Sequence, residues 1–214
     1  MFAGHKLRRR SVASGGLEDI AFVTSAASIT SDITIPASSQ RGDVAILMDA
    51  GGSGSPSTPS GWTNIEIYDG SSHGHSLCYK VLESGDPSST LAGNIFIQQP
   101  DKVMLVFRRS LSPSVAIQDF ASEQTGGDPA TQTVNASGST KKLVVLGCHV
   151  IGAAGPANLT GSDTFDSEVI STNTTVRSVN LAYKIMNASP VDFTVDCTDQ
   201  DTFNSLNSFY VEID

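Results

Sequence analysis

From residue 18 onward, apolar and polar positions alternate in short runs separated by turn residues. Residues 19–25 and 32–35 alternate with period two, the signature of a half-buried strand. Residues 43–48 form a short continuous apolar run, which suits a strand buried on both faces or set in a sandwich core. A Gly/Ser/Pro-rich stretch over residues 50–61 is a loop. Strands are then expected over 62–68, 76–82, 102–108 and 115–120. In the second half they are expected over 142–151, 167–170, 176–185, 191–195 and 209–213. Every window with a helical pattern is broken by Gly, Pro or β-branched residues. The pattern predicts an all-β fold: a jelly-roll-like β-sandwich preceded by an extended N-terminal arm.

The strand pattern repeats. Leu77, Tyr79, Lys80 and Val81, ahead of an Asp86-Pro87 turn, resemble Leu181, Tyr183, Lys184 and Ile185, ahead of Pro190. The apolar runs at 43–48 and 143–148 correspond at a shift of 100, and 103–107 matches 209–213. The expected organisation is therefore an arm over residues 1–17 and a sandwich domain over 18–214. Its two similar halves cover about 40–110 and 140–214. A single sandwich is preferred over two small ones, because each half alone would have only five or six strands and a thin core.

Composition adds constraints. Charged residues are 16% of the 214 and hydrophobic residues 39%, so solubility rests on Ser, Thr, Asn and Gly. Cys78, Cys148 and Cys197 are odd in number, far apart and set in apolar stretches, and no CxxC or Cys/His ligand spacing occurs. They read as buried, reduced thiols of a protein assembled in a cytoplasm. No segment reaches the roughly 18 apolar residues of a membrane helix, and no apolar region follows the basic start as in a signal peptide. Residues 1–17 carry Lys6, Arg8, Arg9 and Arg10 and no acid, while the whole chain is at −9. The remainder therefore stands at −13, which repels nucleic acid and anionic lipid. Phe2 and Leu7, interleaved with the four basic residues, make the arm a candidate for docking on an acidic partner; the alternative is a frayed, solvated terminus.

Gly42-Asp43 at a strand start, Gly61-Trp62-Thr63 after a Pro-rich loop, the Tyr79 strand and Gly85-Asp86-Pro87 together resemble a loose family of β-sandwich proteins. Members occur among tailed-bacteriophage structural genes and some bacterial surface proteins. The likeness spans residues 40–214, and the opening ten residues are similar to the starts of small phage virion proteins. It implies a non-enzymatic virion component without a cofactor, docked by its arm as capsid decoration or cement, or as a tail or fibre appendage. The implied partners are other virion proteins and further copies of itself. A host-surface glycan is the partner under the alternative reading, a carbohydrate- or receptor-binding module. Neither nucleic acid nor membrane is an expected partner. Within this frame Trp62, Tyr79 and Tyr183 are expected to be structural core residues, with Gly61 leaving the loop at an unusual φ.

Chemical constellations are sparse. Gly51, Ser53 and Ser55 fall short of a Gly-x-Ser-x-Gly elbow and lie in a loop. His5 lies in the arm and His149 within an apolar strand, and His73 with His75 could offer two metal ligands but no third. Asp196, Asp199 and Asp201 concentrate oxygen ligands in one turn and are a weak calcium candidate. Read as an EF-hand loop from Asp199, they meet Asn204 where Gly is needed and Tyr210 where Glu is needed. Arg41-Gly42-Asp43 spells an adhesion tripeptide, but its Asp begins a core strand. The Asn-x-Ser/Thr triplets at Asn135, Asn158, Asn173 and Asn187 are expected by chance in a Ser/Thr-rich chain. Paired glycosidase carboxylates would be a property of the three-dimensional arrangement, and nothing in the sequence marks a pair.

Overall fold

A computed structural model describes residues 19–52, 55–70, 74–92, 100–109, 113–125, 129–151, 159–173, 177–197 and 204–214. The N-terminal arm, with Phe2, Lys6, Leu7, Arg8, Arg9 and Arg10, lies outside them, as do Asp199 and Asp201. The fold is an all-β sandwich. In the first half of the chain come β1 (Ala21–Ser28), β2 (Asp32–Thr34), β3 (Val44–Gly51), β4 (Thr63–Asp69), β5 (Gly74–Val81), β6 (Thr90–Ala92) and β7 (Asp101–Arg108). The second half has β8 (Val115–Thr125), β9 (Gln132–Val134), a 3-10 turn (Ala136–Gly138), β10 (Leu143–Ile151) and β11 (Leu159–Gly161). It continues with β12 (Ser167–Asn173), β13 (Arg177–Met186), β14 (Phe193–Cys197) and β15 (Asn204–Ile213).

Two five-stranded antiparallel sheets form the body, ordered β1-β7-β3-β5-β4 and β8-β15-β10-β13-β12. A two-stranded sheet, β2-β6, and a three-stranded sheet, β9-β14-β11, complete the set. The pairing order is the same in both halves. Ile46 on the first central strand faces Tyr79 and Leu105, and Leu146 on the second faces Tyr183 and Phe209.

Alternation along the central strands sorts side chains into three apolar layers. Val44, Ile46, Met48, Leu105 and Phe107 meet Leu146, Cys148, Leu181, Tyr183 and Phe209 between the two large sheets. On the outer face of the first sheet, Ala45, Leu47 and Met104 pack under Ile33, Ile35 and Trp62. Val145, Ala182 and Leu206 pack likewise under Val134, Phe193 and Val195 on the outer face of the second. Covered on both faces, every residue of β3 is buried, which explains its continuous apolar run in an antiparallel sheet. Gly147 on β10 has a specific reason to be glycine: a Cβ there would stand 2.9 Å from Val195 Cγ1, so the small sheet could not sit as close.

Most strands fall where alternation places them. The sequence reading contains none of β6, β9 and β11, each only three residues long and too short to show a period.

Candidate functional site

The two large sheets stack with corresponding strand ends together, so the sandwich has two distinct ends. Phe22 stacks on Tyr183 at 4.9 Å near one end, and Ser171 Oγ donates to Asp101 Oδ1 at 2.9 Å near the other. At the first end the described chain enters the fold. Ile20 N–H donates to Asn187 Oδ1 at 2.8 Å, Asn187 Nδ2 donates to the Ile20 carbonyl at 2.9 Å, and Asp19 pairs with Lys142. Asp214 is tied down at the same end, through backbone bonds with Ser114 and ion pairs to Lys141 (2.6 Å) and Arg109 (3.5 Å). Asn187 also borders two hollows of about 570 and 590 Å³. The second hollow is lined by Met186 and Phe193, by Val191, which is 61% exposed, and by Asp163 and Asp192.

Asp43, buried at this first end, is held in a fork by Arg108, with Nε to Oδ1 at 2.7 Å and Nη2 to Oδ2 at 2.8 Å. In the Arg41-Gly42-Asp43 tripeptide the aspartate is therefore committed to internal structure, with Gly42 at φ +90° turning the chain into β3, while Arg41 is exposed. Gly61, at φ +78°, leads into Trp62, which is 8% exposed in the outer core of the first sheet. Asp86 braces the turn before β6 by accepting from Glu83 N–H at 2.6 Å and Lys80 Nζ at 2.8 Å.

Toward the opposite end the interior turns polar: Asp49, His75, Ser76, Asp101, Lys102, Ser171 and Asn180 are all buried there. His75, stacked against Tyr68, meets Glu66 with Nε2 3.0 Å from Oε2. Ser122, on the edge strand of the second sheet, donates to the other Glu66 oxygen at 2.6 Å. Burial raises the Glu66 carboxyl, but hydrogen bonds from His75 and Ser122 outweigh it and hold the group below its ordinary value. In this arrangement Ser122 is bonded to the carboxylate rather than to the imidazole, so the three groups tie β4 to β8 and are not set as a nucleophile–base pair. Lys102 and Asp49 form a fully buried ion pair at 2.6 Å between β7 and β3.

A third feature is a hollow of about 530 Å³ over the second sheet, lined by Thr160, Ser162, Asp163, Phe165 and Glu168. Glu168 accepts from Leu159 N–H at 3.1 Å and Asn180 Nδ2 at 2.8 Å. Burial pushes its carboxyl above the usual range against the pull of both donors.

Of the residues singled out from sequence, Tyr183 is buried between the large sheets, its ring against Phe22 and Phe107, and Tyr79 is half-buried against the same core. Cys78, Cys148 and Cys197 are buried and not joined in disulfides. Asp196 turns its Oδ1 to its neighbour's backbone, accepting from Cys197 N–H at 2.8 Å. Among the described residues no group of three or more His, Cys, Asp and Glu side chains is placed to hold a metal ion. No helix among them is long and apolar enough to cross a membrane. The sequence reading did not single out Glu66, Lys102, Asp49 or Glu168. Compared with family models, curated proteins and solved structures, the chain has no match.

Proposed function

We propose that this protein is a non-enzymatic structural subunit of a tailed-phage particle, capsid decoration or tail appendage, docked by its N-terminal arm. The observation that carries the reading is the placement of the chain's entry. Asp19 and Ile20 join the sandwich at the end that also holds Asp214, while Gly51, Asp69, Thr125, Ile151 and Asn173 finish their strands at the other. The described chain thus begins at one end of the sandwich and several strands finish at the other, a separation that suits docking at the first end and display at the second. Three apolar layers and, among the described residues, few exposed large hydrophobics suit a stable, repeated building block. The basic residues of the arm match an acidic neighbour, and repeated copies on a symmetric particle add weak contacts into firm attachment.

The test is deletion of residues 1–17, followed by quantifying the protein in particles purified from a complemented deletion strain. The truncated protein should melt almost as the full chain does and be missing from the particles. Normal incorporation would overturn the role given to the arm. A second reading, a glycan-binding module, draws on the hollow beside Glu168, where hydroxyls of Thr160 and Ser162 stand near the Phe165 ring. On a glycan array that reading expects binding abolished by Glu168→Gln, and the structural reading expects none.

A further inference from the structure

The buried Lys102–Asp49 pair is the least expected contact in the fold. Both side chains are 0% exposed, and Nζ lies 2.6 Å from Oδ1. They face each other directly across β7 and β3, on the outer face of the first sheet, next to the apolar pair Leu47 and Met104. Removing two opposite charges from water is costly, and apolar replacements of such pairs are often neutral or stabilising. The fold itself does not demand a charge here. The corresponding register in the second half pairs His149 with Leu206, and Leu206 is a buried core residue. Whatever keeps a lysine and an aspartate at this place is particular to the first half.

The surroundings of the pair are dry: Leu47, Cys78 and Met104, on the same face of the sheet, are all buried. Burial pushes the thiol of Cys78, on the same face of the next strand, far up from its ordinary value, with the Asp49 charge adding to the shift. The 2.6 Å contact sets Nζ roughly 3–3.5 Å from Cγ, the range of a near-attack arrangement. Two strands of one sheet hold both backbones, so the reacting atoms do not have to find one another.

We propose that Lys102 and Asp49 condense after folding into an intramolecular amide, an isopeptide cross-link between β7 and β3. One proton passes from Nζ to Oδ1 along the hydrogen bond, leaving amine and acid. The Nζ lone pair forms the new bond to Cγ, and the Cγ–Oδ1 bond breaks. Oδ1 departs as water with the transferred proton and one further proton from Nζ; the last Nζ proton stays on the amide. No oxidant or co-reactant is consumed. The bond would fasten the central strand of the first sheet to its neighbour and close a loop between residues 53 positions apart. It would convert a costly buried ion pair into a neutral group and leave a lock that survives unfolding, whichever particle or ligand the protein serves.

Mass spectrometry reads the bond directly. The full chain, kept folded for several days and then denatured, should weigh one water less than its processed sequence, and digestion should yield one branched peptide joined at Lys102 and Asp49. Lys102→Arg, which keeps the charge but lacks the nucleophilic amine, should show the full mass and no branched peptide. Wild-type protein at full mass overturns the proposal. So does a water loss that maps elsewhere in the chain or persists in Lys102→Arg. Should the variant fail to fold, the wild-type mass and peptide map still decide.

Discussion

Replacing Trp62 separates a core anchor from an exposed ligand platform. Its ring lies in the outer core of the first sheet with Ile35, Leu47, Leu82 and Met104, and is 8% exposed. Truncation to alanine removes most of an aromatic that buries about 150–250 Å² and leaves a cavity at a loop-to-strand junction. The expected loss is about 3–5 kcal/mol. For a chain of this length that corresponds to a fall in Tm of roughly 6–20 °C. Phenylalanine should behave differently. The buried Nε1–H has no hydrogen-bond partner among the described residues, so Trp62→Phe removes a desolvated donor along with part of the ring. Relief of an unsatisfied donor, about 1–3 kcal/mol, offsets a smaller cavity of similar cost, and the net change should lie within about 1 kcal/mol of zero. Thermal and urea melts of the three proteins at one pH provide the measurement. Equal losses for the two variants would show that the indole N–H has a partner. No loss for alanine would place the ring on the surface and refute its role as a core anchor.

Three further outcomes follow from the same geometry. Arg108→Met should cost about 2–3 kcal/mol in a urea melt, because Asp43 is left buried without its guanidinium; the half-exposed position of Arg108 sets the value below that of a fully buried pair. The lowered Glu66 carboxyl contributes stability that is present above the ordinary value of 4.5 and is lost as pH falls through the folded value; Glu66→Gln should therefore flatten the acid limb of a pH–Tm profile below about pH 4.5. A chelator should leave the melt unchanged, and a fall reversed by added calcium would make Asp196 a ligand together with Asp199 and Asp201.

How far the fold can be read from sequence depends on whether a strand carries its own period. Residues 43–48 reveal β3 because a strand covered on both faces needs an unbroken apolar run, and Trp62 to Tyr68 reveal β4 because one face is exposed. The short strands of the covering sheets hold one or two inward side chains each, Ile33 on β2 and Leu91 on β6, and a single buried position has no periodicity. The polar contacts were hidden for another reason. Asp49 and Lys102 are 53 residues apart, and Glu66 and Ser122 are 56 apart. Only the strand register brings each pair together, and register is a property of the assembled sheets. Lys102 and Asp49 read locally as the polar ends of their strands, which is why this fully buried ion pair left no trace in the pattern.

The covered sheets also limit where this protein can meet a partner. The central strands of each large sheet are covered on both faces, one by the other large sheet and one by a small sheet, so among the described residues the openings lie mainly at edges, at ends and in the hollow beside Glu168. The edges are β1, β4, β8 and β12. Three of these carry a register shift: β1 between Phe22 and Thr24, β4 between Asn64 and Glu66, and β8 opposite Ser208 to Tyr210, where Asp119 has φ +51°. Bulges twist an edge away from a straight template and so oppose strand addition by another copy. With the central strands covered and most edges blunted, the two ends are where the proposed role would place contacts with neighbouring subunits. One of these receives the chain at Asp19 and Ile20 beside the Asn187 hollows. Under the proposed role, the arm would supply from outside the sandwich the apolar and charged groups that the sandwich keeps within, Phe2 and Leu7 beside Lys6, Arg8, Arg9 and Arg10.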